Sequence, residues 1–196
     1  MVKFKTKVET PNCFRQLNFL LLFVLLVAVN NLAGQGPLPQ AAANRFDSLG
    51  ADIIRPFDAD FKEVSVARTR FRPAEYAIGS KKEKLEIRYY LQTEKELGHF
   101  SGMPHVATGR FLMDVGSNDE DAQTTVHSFQ GEQLETYNAD WSKLFTFQPK
   151  YEFAAYEYAQ LVALYKEGRG LIWVILLFNK PPDTLDARQL AARFLE

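Results

Sequence analysis

Three histidines, His99, His105 and His127, are the first residues in this chain able to ligate a metal or move a proton. Their spacing is wrong for zinc: His99 and His105 fall in a Gly/Pro-punctuated loop, "LGHFSGMPHV", and His127 in a different element. Local hydrogen bonding or solvation accounts for them. Asp114, Asp119, Glu120 and Asp121 are hard oxygen donors, but the run lacks the sixth-position glycine and distal glutamate of an EF-hand loop. Negative charge at the start of a helix is the better account. No metal or cofactor site is expected.

Nucleophilic chemistry finds no frame either. There is no Gly-x-Ser-x-Gly elbow, and Ser101, Ser128 and Ser142 stand without a partner that would single one out. The segment "KEGRG" lacks the spacing of a phosphate-binding loop. Glu132 and Glu135, or Asp140 beside Trp141, supply the carboxylates that a hydrolase with a dispersed acid/base site requires. Charge on a helix surface explains them equally well. Phe145, Phe147, Tyr151, Tyr156 and Tyr158, with Phe153 among them, form an aromatic set that makes a binding patch if it projects outward. Cross-strand packing in a core is the alternative.

The elements that would position these groups begin after a targeting segment. Lys3, Lys5, Lys7 and Arg15 precede an unbroken apolar run of eleven, Phe19 to Val29. A membrane-crossing helix needs about 20 apolar residues, whereas a secretory signal needs only about 7 to 15. Residues 1–34 therefore read as a signal peptide cleaved near Gly34-Gln35, and the protein as exported to the periplasm or beyond the cell. Retention of the run as an anchor is the alternative, since Leu32 is large for its place before the cut. Gln35 stands where a lipidated cysteine would be needed.

Cleavage removes the single cysteine, Cys13, so the 162 residues that remain of 196 must fold on their core alone. A domain of that size buries roughly 70% of its unfolded surface, which suffices. Losing Lys3, Lys5, Lys7, Arg15 and Glu9 moves the formal charge from −1 to −4, a balance that favours neither nucleic acid nor an anionic membrane surface.

Within the mature chain, residues 35–50 carry Gly, two prolines and three alanines and read as a linker, with a short first helix as the other option. A single globular domain is expected over 51–196. Val64 and Val66 alternate in a strand from Phe61 that ends near Arg72-Pro73. Lys81, Lys82 and Lys84 read as turn or edge protection. In "KLEIRYYLQTE", Leu85, Ile87, Tyr89 and Leu91 share one face of a strand, and Glu86, Arg88, Tyr90 and Gln92 the other. A third strand is expected over Val106 to Val115, and a helix near 118–136 capped by Ser117 or Asn118, although Thr124, Thr125 and Gly131 oppose it. "KLFTFQPK" is a short strand closed by Pro149. The run from Tyr151 to Gly170 suits a helix stopped by Gly168 or a strand entering a hairpin through Glu167-Gly168-Arg169-Gly170; the hairpin is preferred.

Leu171 to Phe178 is an apolar run of eight. As a helix it would extend about 12 Å, far short of a hydrocarbon core of about 30 Å. As a strand without alternation it must be covered on both faces, which makes it central. Trp173 then needs a hydrogen-bond partner for its indole. Ala187, Leu190, Ala191 and Phe194 recur at helical spacing near 184–195. The expected fold is α/β of the α+β type, a largely antiparallel sheet sandwiched by helices.

The segment "YAQLVALYKEGRGLIWVILLFNKPPDTLDARQLAARF" resembles the closing unit of small exported PsbP-like domains, with a long Gly-turn hairpin, an apolar last strand and a terminal amphipathic helix. The likeness covers about forty residues and implies an α-β-α sandwich used as an accessory or assembly module without enzyme activity. "YNADWSKLFTF" is similar to segments of exported bacterial proteins of unknown function. The expectation is an exported non-catalytic domain that binds a protein or small-molecule ligand, has no membrane span in its mature form and binds no nucleic acid. The alternative is a periplasmic hydrolase built on Asp140, Glu132, Glu135 or a histidine.

Overall fold

A computed structural model describes residues 38–56, 60–66 and 70–196. The signal-like segment, Cys13 and the junction at Gly34-Gln35 lie outside the described residues.

Nine apolar or small residues in succession cannot be satisfied by a sheet open to water on either side. Strand β8 (Gly170–Phe178) is buried at every position. It lies fourth in a seven-stranded, wholly antiparallel sheet of order β2-β3-β4-β8-β7-β6-β5. Its neighbours are β4 (Leu85–Thr93) and β7 (Tyr158–Lys166), each paired along its full nine-residue length. Outside them lie β3 (Tyr76–Ser80) and the two-residue β2 (Lys62–Glu63) on one flank, and β6 (Trp141–Phe147) and β5 (Thr125–Ser128) on the other.

Alternation along β8 sends Ile172, Val174 and Leu176 to one core and Leu171, Trp173, Ile175 and Leu177 to a second. The first core is closed by helix α1 (Gln40–Leu49), by the short helix α5 (Leu185–Gln189) and by a two-stranded sheet of β1 (Ala51–Ile53) with β9 (Ala192–Phe194). The second is closed by α2 (Glu94–Leu97) and α3 (Pro104–Val115). A further short helix, α4 (Glu132–Thr136), precedes β6. The fold is α+β, a large antiparallel sheet between helical layers, as the sequence implies.

The indole of Trp173 finds its partner in Thr108 of α3, whose Oγ1 accepts its N–H at 3.0 Å, while Phe111 stacks on the ring at 4.7 Å. The preferred hairpin forms between β7 and β8. Gly170 is indispensable there: at φ +134° a Cβ would stand 2.1 Å from the Gln92 carbonyl oxygen.

Several expected elements differ. Val106 to Val115 is helix, not strand, because Pro104 occupies its first turn and Ala107, Thr108, Phe111 and Val115 share its buried face. Met113, placed in line with Phe111 by a period of two, is 76% exposed. The helix expected over 118–136 is replaced by β5 and α4. Ser117 Oγ accepts the Asp119 N–H in a local turn, and Gly131 adopts φ +54° between the two elements. The linker read over 35–50 is, from Gln40 to Leu49, helix α1, with Ala42, Phe46 and Leu49 buried. The helix near 184–195 stops at Gln189, and Ala192 to Phe194 pair with β1 instead. The strand from Phe61 contracts to β2, and β3 was not anticipated as an element of its own.

Two substitutions test this core. Leu176→Ala should cost about 2–5 kcal/mol, since no solvent-facing side lets the site relax. Gly170→Ala should cost more than Gly168→Ala, whose Cβ at φ +72° meets nothing within 4 Å and carries only the left-handed penalty of about 1–2 kcal/mol. Urea denaturation curves of the three variants check the ranking.

Candidate functional site

The covered face of β4 carries charge as well as apolar groups. Glu86, Arg88 and Tyr90 share it, and Arg88 is 7% exposed and Tyr90 1%. A buried guanidinium must be paired, and this one is: Arg88 Nε donates to Glu86 Oε1 at 2.6 Å and Nη1 to the Phe153 carbonyl at 3.1 Å, with its cation 5.2 Å above the Phe153 ring. Glu86 also accepts the Tyr156 hydroxyl at 3.0 Å. Burial pushes the Tyr90 hydroxyl up to about 12, against the pull of adjacent Arg88.

The edge of the sheet opens beside this group. β2 pairs β3 at Lys62 and Glu63, with one further bond from the Val64 N–H to the Ala77 carbonyl at 3.0 Å, and Pro73, upstream of β3, has no N–H to extend the ladder with β4. Glu75 takes over, its backbone N–H donating to the Tyr89 carbonyl at 2.9 Å and its Oε2 accepting the Leu91 N–H at 3.1 Å. The gap left is a cleft of about 550 Å³ between the start of α1, the chain after β2, the approach to β3 and the covered face of β4. Ala41, Val64, Val66, Phe71 and Phe153 are among its apolar walls. Arg72, Glu75, Arg88 and Tyr90 bring the polar groups, and Glu63 stands at the edge. Arg72 is exposed, with its cation 6.0 Å from the Trp173 ring.

Glu75 and Glu96 titrate in opposite directions for opposite reasons. Burial holds the Glu75 carboxyl above the usual value, despite Arg72 and Arg45 nearby; Arg45 Nη2 lies 3.6 Å from its Oε1. The Glu96 carboxylate is held down to about 2, chiefly because Arg45 donates to both its oxygens at 3.0 Å, with the Thr93 N–H adding a third bond at 2.8 Å.

The aromatic set is divided rather than gathered. Phe147 is buried, and Phe145 and Tyr156 pack partly against the second core. Tyr158 pairs with Phe178 in register, which places it on the sheet face opposite Phe147, and its ring stacks on Phe178 at 6.0 Å. Tyr151, 83% exposed, lies in the turn before β7.

The carboxylates proposed for hydrolysis sit elsewhere. Asp140 Oδ2 accepts the Glu167 N–H at 2.8 Å and so ties β6 to the turn of the β7–β8 hairpin. Glu132 and Glu135 are on the exposed surface of α4. Neither they nor a histidine lines this cleft, nor the shallower grooves of about 320 Å³ beside Arg55 and about 490 Å³ beside Tyr158. Ser101 Oγ donates to Glu94, and Ser142 is buried. Among the described residues no three His, Cys, Asp or Glu side chains are grouped to hold a metal, and no helix is long and apolar enough to cross a membrane.

Comparison with protein-family models, with curated proteins and with solved structures finds no match. The site therefore has to be read from its own geometry. Sequence reasoning put Glu86, Arg88 and Tyr90 on one face of a strand but singled out none of them as a site residue. The available signal was the company they keep: β8, their neighbour, requires cover on that same side.

The two carboxylates yield a pH prediction of opposite signs. The stabilisation from Glu96 is complete above the ordinary carboxyl value of 4.5 and is lost as pH falls toward 2. Ionised Glu75 is penalised by burial, so its effect favours the fold below 4.5 and fades as pH rises through its raised value. Glu96→Gln should lower the urea midpoint at pH 7 but not near pH 2. Glu75→Gln, which keeps an acceptor for Leu91, should raise it at pH 7 and leave it unchanged at pH 4.

Proposed function

We propose that this chain is an exported, non-catalytic binding domain that holds a small molecule in the cleft beside β3 and β4. The observation that carries the reading is the cleft itself. Its volume lies within the range of about 300–1,000 Å³ common to small-molecule sites, and its walls bring apolar side chains together with a few polar groups.

Export rests on the basic, apolar and small-residue pattern of residues 1–34, and with cleavage at Gly34-Gln35 the domain works in the periplasm or outside the cell. A charged guanidinium kept buried at the wall is a further support. Arg88 is held by a carboxylate, a carbonyl and an aromatic ring, an arrangement that fixes its orientation before any ligand arrives. An accessory role of the kind that the PsbP-like pattern suggests accords with a site built for holding rather than for bond-breaking.

The test uses the protein purified from the compartment to which it is exported. Titration with the uncharged dye N-phenyl-1-naphthylamine, whose apolar rings suit the walls, should show saturable binding at one site. Ala41 is exposed at the mouth of the cleft, so Ala41→Trp fills the space without entering the core and should weaken the dye at least tenfold at unchanged thermal stability. Equal affinity in the two proteins would remove the cleft as the binding site.

A further inference from the structure

The charges around the cleft are paired in sign, which narrows the ligand. Resting on the cleft reading above, we propose that its occupant is a zwitterion with an apolar body, an α-amino acid or a short peptide, with its carboxylate toward Arg72 and Arg88 and its ammonium toward Glu75.

Charge disfavours the simpler ligands. Among the described residues the lining contributes the guanidiniums of Arg72 and Arg88 and the carboxylates of Glu63 and Glu75, with Glu86 paired to Arg88 and Arg45 beside Glu75. A simple anion seated among the apolar walls would meet the arginines but also the Glu75 carboxylate, whose side chain is only 16% exposed. A simple cation would meet Glu75 but face the exposed guanidinium of Arg72, Arg88 being neutralised by Glu86. An uncharged apolar ligand would return no hydrogen bond to Arg72 or Glu75 and so binds less tightly than one that supplies both. A molecule carrying both charges a few bonds apart satisfies both signs and fills the apolar remainder.

The donors and acceptors have capacity for it. Arg88 spends Nε on Glu86 and one Nη1 proton on Phe153, and a guanidinium offers five N–H groups in all. Glu75 gives Oε2 to Leu91 and pairs Oε1 with Arg45 at 3.6 Å, and an ionised carboxylate has about four lone-pair sites in all. Ala41, Val64, Val66, Phe71 and Phe153 would receive the side chain, so large apolar amino acids should be preferred over small or charged ones.

Calorimetric titration of the exported protein with L-phenylalanine and with L-leucyl-L-phenylalanine tests this, beside three blocked probes: N-acetyl-L-phenylalanine, L-phenylalanine amide and hexanoate. The expected result is saturable binding of a zwitterion, with each blocked probe at least tenfold weaker. Arg72→Met should reduce the preference over the amide at thermal stability close to wild type, and Glu75→Gln should abolish the preference over the acetylated form at a stability equal to or above wild type. Arg88 is left intact because it also holds the fold. Blocked probes that bind as well as the zwitterions would overturn the proposal, as would absence of zwitterion binding while the dye still fills the cleft. In both cases the cleft reading survives. Dye binding indifferent to Ala41→Trp would overturn that reading instead.

Discussion

The structure depends on a strand that has no wet side. β8 is buried from Gly170 to Phe178, and each of its faces alone carries enough apolar surface to require a covering layer. At about 25 cal/mol per Å² of apolar surface removed from water, leaving either face open would forfeit a contribution comparable with the net stability of a typical domain. With no cysteine among the described residues, no disulfide substitutes for that burial there. Everything else is arranged to supply the cover: α3 with its Thr108 and Phe111 against Trp173, and α1 with the β1–β9 pair against the opposite face.

That constraint also explains the polar features of the cleft. A sheet covered on both faces cannot leave the charged residues of β4 in water, so Glu86 and Arg88 are drawn inside and neutralise one another. Tyr156 and the Phe153 carbonyl complete their hydrogen bonds from the loop before β7. Among the described residues β2 is too short to follow β3 along its length, and upstream of β3 Glu75 continues the pairing with β4 through its backbone N–H and its side chain. The cleft and its buried charge thus share one origin, the end of pairing at the edge of the sheet.

Much of the fold was legible in local pattern. The alternation in β4, the glycines of the β7–β8 turn, the closure of β6 near Pro149 and the burial of β8 all follow from residues that are neighbours in the chain. The candidate site was not legible, because it joins residues from the start of α1 to Phe153 through contacts that no short window contains. Asp140 and the aromatic set drew attention by type alone, yet one ties a turn and the other is split between opposite faces.

Composition and short-range periodicity by themselves determined that this chain folds around a doubly covered central strand in an antiparallel sheet. That outcome follows from apolar burial and the two-residue repeat of a strand, both of which are local properties. Tertiary structure alone decided which segments provide the cover. Phe111 and Val115 fit a strand as well as a helix until Trp173 is placed against them, and Ala192 to Phe194 read as helix until β1, distant in sequence, offers its hydrogen bonds. It likewise decided where the cover ends, because a gap in packing is a property of surfaces that meet rather than of any one of them.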